Sequence, residues 1–340
     1  QTAIKEDELL YGAISGMVKG AGDPYTVFFP PVESKSFKQD VGGAFGGIGA
    51  EIGKRNGFLV IIAPLEDTPA QRAGLRAGDK IIKINGVVTD EITVEEAVRK
   101  IRGELGTKVT LTILSESNGS KAKDIIIERA TIKIPITKLE ALQDNEIAHL
   151  SFYSFTQTAP FEFQQAAAKI LGTTSYKGVI LDLRNNPGGF LEVAVDIAGW
   201  FLNSGDLVAT EQFGKAENEN KTEFRASGLC AFNNYPLVVL VNQGTASAAE
   251  ILAGALRDNR DIKLIGDKTF GKGSVQELIN FKDGSSLKVT IAKWLTPKGV
   301  SISEKGIEPD YKVAITEKDI EDKKDPQLDK AVEVLLKMIK

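Results

Sequence analysis

Apolar strands that alternate with amphipathic helices are the feature that constrains this chain most. In its second half, short runs rich in Val, Leu and Ile are separated by stretches with helical periodicity. The strand-like runs are EIAHLSFYSF (146–155), GVILDLRNNPGG (178–189), LVVLVNQ (237–243) and IKLIG (262–266). A strand that is apolar on both faces needs cover on both sides, which helices supply in parallel sheets. The sequence therefore predicts an α/β core over residues 134–315, with a largely parallel sheet flanked by helices.

Residues 38–133 are predicted to form a separate compact block between that core and the start of the chain. The pair Asn56-Gly57 is typical of a hairpin turn between two strands. Thr93 lies three residues before Glu96, which is the capping-box spacing, so a helix is expected to begin there.

The two ends of the chain are predicted to be helical arms. In residues 1–37 a short amphipathic helix precedes DPYTVFFPPVES (23–34), whose prolines exclude a regular helix. Residues 316–340 begin as a solvated charge run and end as an amphipathic helix. Its apolar stripe comprises Leu328, Val332, Leu335, Leu336 and Ile339.

Composition narrows the function classes. The net charge of −4, with basic residues scattered along 340 residues, gives no reason to expect nucleic acid as a partner. One cysteine and one histidine exclude a cysteine-based or histidine-rich metal site, and we expect no metal or other cofactor. We find no apolar run of 18 residues or more in the chain, so we expect no segment that spans a membrane.

Ser247 is a candidate nucleophile because it lies between a buried strand and a helix pattern, among small residues. The amide of Ala248, at the start of that helix, could stabilise an oxyanion. A serine at this position can equally be a plain helix N-cap. The single histidine, His149, lies inside a predicted strand and is interpreted as structural, so it does not supply the base.

Lys272 is the candidate base, since it lies between two glycines in the segment GDKTFGKGSVQEL (266–278). A lysine that accepts a proton must be neutral, and burial without a counter-ion lowers its pKa. No carboxylate stands among its sequence neighbours, and in an extended segment Gln276 would share its face and could orient the amine. The alternative interpretation is an exposed lysine in a glycine turn.

The glycine pair in DLRNNPGG (182–189) is the candidate for a second oxyanion donor. Gly188 and Gly189 follow a buried strand, where α/β sheets bind ligands, and lack a Cβ that would keep a substrate away. A tight turn that needs positive φ would explain the same two residues. Asp182 and Arg184 are interpreted as a structural pair at the strand end.

These motifs together resemble the carboxyl-terminal processing peptidases, the tail-specific serine proteases. The similarity rests on NQGTASAAEILAGAL, FGKGSVQ and DLRNNPGG and covers nearly the whole chain. It implies a serine endopeptidase with Ser247 as nucleophile, Lys272 as general base and Gln276 as orienting third member. It also implies an oxyanion hole from Ala248 and the Gly188–Gly189 pair. Ala249 stands where that family usually has a second serine.

Residues 38–133 then resemble a PDZ domain, with GGIGAEI (46–52) similar to its carboxylate-binding loop. Consecutive amides at Gly47, Ile48 and Gly49 could hold a terminal carboxylate, while the strand that follows accepts the peptide. Val98, on the predicted helix, would face the last side chain of that peptide. A simple bulge is the alternative reading of the glycines.

The resemblance also implies partners and a compartment. The expected substrates are proteins or peptides with free apolar carboxyl termini, and the terminal helices could mediate a homodimer or bind an adaptor protein. Family members are generally exported, so a periplasmic or extracytoplasmic protein is expected. Because the chain begins at Gln1, a leader or membrane anchor outside these residues is compatible with that expectation.

Two other function classes remain open at this point. A catalytically silent PDZ scaffold would bind tails without needing Ser247. A non-peptidase enzyme on a similar core, such as an acyl-CoA hydratase or isomerase, would require acidic residues at the site, and we find none near Ser247.

Overall fold

The computed structural model describes residues 6–41, 44–55, 57–65, 67–90, 92–115, 121–133, 136–214, 220–303, 305–316, 318–319 and 322–339. Its contacts divide the chain into two compact units. One unit consists of residues 38–134, and the other of residues 1–37 with residues 135–340.

The helices are α1 (Glu6–Lys19), α2 (Pro31–Val41), α3 (Pro69–Arg72), α4 (Val94–Ile101), α5 (Ala159–Leu171), α6 (Leu191–Ala198), α7 (Ala248–Arg260) and α8 (Pro326–Ile339). The strands are β1 (Val27–Phe29), β2 (Ala44–Gly47), β3 (Ala50–Arg55), β4 (Phe58–Pro64), β5 (Lys80–Ile84), β6 (Val87–Val88), β7 (Lys108–Leu114), β8 (Ala122–Glu128), β9 (Ala130–Lys133), β10 (Thr137–Leu142), β11 (Ile147–Phe152), β12 (Gly178–Asp182), β13 (Leu207–Phe213), β14 (Lys221–Arg225), β15 (Leu237–Val241), β16 (Lys263–Gly266), β17 (Ser274–Asn280), β18 (Ser286–Leu295) and β19 (Tyr311–Lys312).

The larger unit is built on a sheet of order β10-β11-β12-β15-β16-β19, in which only the β10–β11 pair is antiparallel. On one face, Val179 and Leu181 pack in a core with residues of α5, α6 and α7. On the other face, Ile180 packs with α8. Every residue of β12 and β15 is buried. The prediction of a largely parallel sheet covered by helices is confirmed, and the two-sided cover explains why these strands are apolar throughout.

The C-terminal helix completes this sheet instead of extending as an arm. Leu335 is fully buried, and Leu328, Val332, Leu336 and Ile339 pack against the same cluster of sheet residues. The predicted apolar stripe is therefore real, but the surface that covers it belongs to the same unit, because the second face of β12, β15 and β16 needs cover.

A second sheet in the larger unit was not expected from the sequence. It is antiparallel, with order β1-β18-β13-β14, and β17 also pairs with β18. The N-terminal arm supplies its first strand, β1, through pairings such as Val27↔Lys288. Val27–Phe29 thus form an edge strand, which is where a segment of this composition is tolerated. Helix α2 begins at Pro31, so the expectation that residues 23–34 contain no regular helix is wrong for residues 31–34, because the first turn of a helix tolerates proline.

The smaller unit has its own sheet and its own core. The sheet order is β3-β4-β5-β7-β8, and β6 pairs with β5 while β2 pairs with β9. The expected capping box is present, because the Thr93 hydroxyl accepts from the Glu96 amide at 3.2 Å and the Glu96 carboxylate accepts from the Thr93 amide at 3.1 Å. The β3–β4 hairpin forms as predicted, although Asn56 of its turn lies outside the described residues.

Within the part of the chain described above, no helix has the length and apolar character needed to cross a membrane.

Candidate active site

Three loops meet at one edge of the parallel sheet. They follow β12, β15 and β16, which are neighbours in the sheet and run in the same direction. The first loop carries Gly188 and Gly189, the second carries Ser247, and the third carries Lys272. The carboxyl ends of parallel strands share an edge, and this is where open α/β sheets bind ligands.

Hydrogen bonds join the first two of these loops. The amide of Ala246 donates to the Asn186 carbonyl at 2.9 Å, and the Thr245 hydroxyl donates to the Leu183 carbonyl at 2.8 Å. The Asn242 side chain accepts from the amide of Asn185 at 2.9 Å. The backbone before Ser247 is therefore held against the loop that carries the two glycines.

Ser247 occupies a strained backbone conformation at the start of α7. Its φ of 55° and ψ of −120° lie outside the regions that non-glycine residues usually adopt. Such a conformation costs on the order of 1–3 kcal/mol and persists only where the surroundings enforce it. A serine on a sharp strand-to-helix turn presents its hydroxyl outward, as nucleophilic serines on α/β sheets do. An ordinary N-cap serine does not need this strain.

Glu250 also lies at this site, although the sequence did not point to it. Its side chain is completely buried, three residues after Ser247. Four groups donate to the carboxylate: the Thr269 hydroxyl at 2.5 Å, and the backbone amides of Gly271 at 2.8 Å, Ser247 at 2.9 Å and Lys272 at 2.9 Å. Burial raises the pKa of the carboxyl, and the four hydrogen bonds oppose that rise. The Ser-x-x-Glu spacing of a capping box was the available signal.

One oxygen of Glu250 connects the candidate nucleophile and the candidate base. Its Oε2 accepts from the amides of both Ser247 and Lys272, each at 2.9 Å. The two backbone nitrogens are therefore no farther apart than twice that distance. Residues that are 25 positions apart in sequence become adjacent in the fold.

The side chain of Lys272 is half-buried, and burial lowers the pKa of its amine. The charge of Glu250 acts in the opposite direction on that pKa. The expectation that Lys272 is buried is thus correct. The expectation that no carboxylate lies near it is wrong, because α7 brings Glu250 in from another part of the chain.

Glu250 also corrects the statement that no acidic residue lies near Ser247. Glu250 is enclosed by donors and is closed to a substrate, so it does not favour a hydratase.

Gln276 does not share an extended face with Lys272 in this structure. Strand β17 begins only at Ser274, and a bulge between Val275 and Gln276 shifts its register against β18. The side-chain Nε2 of Gln276 donates to the Ser274 hydroxyl at 2.6 Å and to the Ser274 carbonyl at 3.1 Å. Its assignment as orienting group stays a prediction.

The two glycines differ in what their amides do. The Gly188 amide donates to the Asn186 side chain at 2.9 Å, while within the described residues the amides of Gly189 and Ala248 donate no hydrogen bond. A Cβ on Gly188, whose φ is +93°, would lie 2.8 Å from the Ser247 Cβ and 2.9 Å from the Ala248 nitrogen. Only a glycine allows this close approach. Of the pair, Gly189 is the one with an amide available to a ligand.

His149 belongs to a structural network under the sheet edge. Its Nε2 lies 3.1 Å from Asp182 Oδ2, and both residues are buried. Arg184 binds the same carboxylate, with Nη2 at 2.7 Å from Oδ2. Burial alone would raise the pKa of Asp182, but the hydrogen bonds from His149 and Arg184 lower it. The structural interpretation of these three residues agrees with their positions.

In the smaller unit, Ile48 and Gly49 form the turn between β2 and β3. The Ile48 carbonyl accepts from the Ala70 amide at 2.7 Å and the Gly49 carbonyl from the Leu65 amide at 2.9 Å. Strand β3 is at the end of its sheet and pairs with β4 alone among the described strands, and α4 packs beside it. Gly47 ends β2, and Val98 is a partly exposed residue of α4. An exposed edge strand with a helix beside it is the arrangement to which PDZ domains add a peptide strand.

No group of three or more His, Cys, Asp or Glu residues in the described ranges is placed to hold a metal ion.

Comparison with known proteins identifies both units. Residues 146–313 match the Peptidase family S41 model, and residues 60–115 match a PDZ domain model. These matches and the fold define the class of protein: an α/β peptidase-type core that carries an inserted PDZ domain. Over residues 146–313, about half of its length, the chain is similar to peptidase family S41.

Its relatives include the carboxy-terminal processing protease CtpA of Bacillus subtilis, 39% identical over 91% of this chain and 65% of that protein. A Staphylococcus aureus protein named "Probable CtpA-like serine protease" is 40% identical over 90% of this chain and 60% of its own length. This chain thus spans less than two thirds of the length of either relative. Among solved structures, the photosystem II D1 C-terminal processing protease matches with a TM-score of 0.59 and 28% identity, over 92% of this chain and 83% of that one.

Proposed function

We propose that this protein is a serine endopeptidase in which Ser247 is the nucleophile and Lys272 the general base. The observation that carries the proposal is the shared hydrogen bonding of both backbone amides to Glu250 Oε2. It supports the proposal because a nucleophile and its base must lie within reach of each other. Strain at Ser247 and the lowered pKa of Lys272 are the properties that this chemistry requires.

The reaction proceeds through an acyl-enzyme. The neutral amine of Lys272 takes the proton of the Ser247 hydroxyl while Oγ bonds to the scissile carbonyl carbon. The resulting ammonium gives that proton to the leaving amine as the C–N bond breaks. Water then attacks the ester carbonyl, Lys272 takes a proton from that water, and the proton returns to Ser247 as the acid product leaves. Gln276 orients the amine of Lys272 in this scheme.

The oxyanion of each tetrahedral intermediate is stabilised by the backbone. The amides of Ala248 and Gly189 have no other acceptor among the described residues, which supports assigning them as donors. Gly188 contributes by letting the glycine loop approach Ser247 closely.

The PDZ unit selects substrates by their carboxyl-terminal tails. The turn at Gly47, Ile48 and Gly49 holds the terminal carboxylate, the edge of β3 accepts the tail as an added strand, and Val98 contacts its last side chain. The free edge of β3 and the packing of α4 beside it support this assignment.

Degradation of an unstructured protein tests the peptidase assignment. We expect Ser247→Ala and Lys272→Ala to abolish degradation that the unmodified chain carries out. Matched controls are Ser204→Ala and Lys268→Ala, which alter an exposed serine and a surface lysine that pairs with Glu308 at 3.2 Å. If Ser247→Ala and Lys272→Ala degrade the substrate as fast as the unmodified chain, the assignment is wrong; if none of the proteins, the unmodified chain included, degrades it, the tail-binding scaffold is favoured.

Tail recognition is tested separately with Ser247→Ala protein, which keeps the PDZ unit intact. A fluorescent peptide with an apolar last residue and a free carboxylate should bind at least about tenfold more tightly than its carboxyl-terminal amide. Equal affinities would exclude carboxylate recognition without bearing on catalysis.

Export and self-association complete the proposal. The resemblance to the carboxyl-terminal processing peptidases implies a periplasmic or extracytoplasmic location. Helix α1 has no buried residue and exposes Leu9, Leu10 and Met17, which supports dimerisation through this helix, whereas the stripe of α8 is already covered. Analytical ultracentrifugation tests this: the unmodified chain should sediment as a dimer and Leu10→Glu as a monomer. If both sediment as monomers, the exposed face of α1 would bind an adaptor protein instead.

A further inference from the structure

Hydrogen bonds hold the N-terminal arm against β18, the strand that pairs with the Gln276 strand β17. Thr26 Oγ1 accepts from the amide of Thr290 at 3.1 Å and donates to Asp23 Oδ2 at 2.5 Å. The amide of Tyr25 donates to the other oxygen of Asp23 at 3.1 Å. Thr290 is the partner of Gln276 in the β17–β18 pairing. The turn of the arm at Asp23–Thr26 is therefore fixed to the strand opposite Gln276.

This turn brings an aromatic ring to the amine of Lys272. The Lys272 Nζ lies 6.0 Å from the centroid of the Tyr25 ring, and Tyr25 itself is partly buried. The distance is at the outer limit of a cation–π contact, where the attraction for a charged amine is weak. Covering the amine is then the larger effect of the ring, and covering disfavours the charged form.

The other charged groups around the amine come from three elements. The charge of Glu250 acts on the amine from α7, and Lys288 faces it from β18, while Asp23 of the arm acts on Lys288. Lys288 is half-buried too, with its Nζ 5.7 Å from the Phe29 ring, and burial together with the charge of Lys272 lowers the pKa of Lys288. The arm thus encloses both lysines with aromatic rings.

We propose that Tyr25 is a positioning residue for Lys272: its ring covers the amine and keeps water from it, so that the N-terminal arm is a working part of the active site. This inference rests on the proposed role of Lys272 as base. Tyr25 takes no part in the bond changes, and it acts through the lysine.

The test compares Tyr25→Ala, Tyr25→Phe and the matched control Tyr11→Ala. Tyr11 is in the same arm but contacts Phe28 and Asp283. The dependence of kcat/KM on pH is measured with a peptide substrate. In parallel, the pKa of the Lys272 amine is read from its acetylation rate by mass spectrometry, which needs no enzymatic activity.

Without the ring, water reaches the amine and favours its charged form. We expect Tyr25→Ala to lose about tenfold in kcat/KM near neutral pH and to recover most of it at alkaline pH. The acetylation profile of Lys272 should move to higher pH in the same variant. Tyr25→Phe, which keeps the ring, and Tyr11→Ala should both match the unmodified chain in both measurements.

Two results would overturn the inference. One is a loss in Tyr25→Ala that is uniform across pH with an unmoved acetylation profile; the other is a Tyr25→Phe variant that behaves like Tyr25→Ala. Failure of the proposed function is distinguishable, since Lys272→Ala would then remain active while the acetylation measurement still reports on Tyr25.

Discussion

At the scale of single residues, the buried carboxylate of Glu250 holds the site together through backbone amides. A glutamine at this position can accept through one oxygen only, and its NH2 group would face amides that also donate. We expect Glu250→Gln to lower the free energy of unfolding by about 1–3 kcal/mol and to reduce kcat/KM. Urea denaturation and peptide hydrolysis measure the two effects.

The control for that change is Glu308→Gln, which alters an exposed carboxylate that pairs with Lys268. It should change the stability by about 0.5 kcal/mol or less. If the two variants have the same stability and activity, Glu250 does not organise the site.

Gly188 is the second residue that the geometry makes irreplaceable. An alanine there would push its Cβ to 2.7 Å from the Ala246 carbonyl and 2.8 Å from the Ser247 Cβ. We expect Gly188→Ala to lose about a hundredfold or more in kcat. Gly205→Ala is the matched control, because Gly205 has nearly the same φ, +95°, and open space around it.

Both glycine variants should lose about 1 kcal/mol of stability from the positive φ alone. Only Gly188→Ala should also lose activity, as measured by steady-state hydrolysis. Equal activity in the two variants would show that the glycine loop need not approach Ser247.

The residues that sequence reasoning could find are those with a local pattern around them. Ser247, Lys272 and the glycine pair stand among small residues at strand ends, so their positions follow from the chain itself. Glu250 was missed because its donors include groups 19 to 22 residues away, which only the fold brings together. Tyr25 is farther still from Lys272 in sequence. The bulge at Gln276 likewise depends on pairing with β18 and has no local signal.

At the scale of elements, a charge network fastens α8 to the sheet edge. Arg184 Nη1 donates to Asp325 Oδ1 at 2.9 Å, and that same oxygen accepts from the amide of Leu328 at 3.0 Å in the first turn of α8. Arg184 also binds Asp182 at the end of β12. Burial would lower the pKa of Arg184, but the two carboxylates raise it, so the guanidinium stays charged.

We expect Asp325→Ala to lower the free energy of unfolding by about 1–3 kcal/mol, because α8 loses its N-cap and the Arg184 guanidinium loses one of its two carboxylates. The control is Asp322→Ala, which removes an exposed ion pair with Lys324 and should cost about 0.5 kcal/mol or less. Urea denaturation measures the stability of both variants. If both lose the same free energy of unfolding, the network does not hold α8.

Some of the helices and strands were predictable from the sequence, and others were not. Helical periodicity and two-sided apolar strands identified the parallel sheet because the pattern of each segment reflects its own burial. The antiparallel sheet was missed because its strands have mixed exposure and pair across long stretches, as in Thr210↔Leu295. The packing of α8 was missed because an apolar stripe does not say which surface covers it.

At the scale of the whole molecule, the chain has two units with separate cores. Ile61 is fully buried in the core of the PDZ unit, and Leu252 is fully buried in that of the peptidase unit. A core that is complete within one unit can unfold without the other. Ile61→Ala should therefore lower the stability of the PDZ unit alone, by about 2–5 kcal/mol.

Scanning calorimetry tests this with Ile126→Ala, an exposed position of the same unit, as control. One of two thermal transitions should move in Ile61→Ala, and neither should move in Ile126→Ala. A single transition that shifts as a whole would mean that the two units unfold together.

The central claim is that Ser247 is acylated with the help of Lys272, and rapid-quench mass spectrometry of the intact chain with a peptide ester tests it most directly. The unmodified chain should gain the mass of the acyl group at short times, and peptide mapping should locate that mass on Ser247. In Lys272→Ala the adduct should form at least about a hundredfold more slowly. An adduct that forms equally fast in Lys272→Ala, or that persists in Ser247→Ala, would contradict the account.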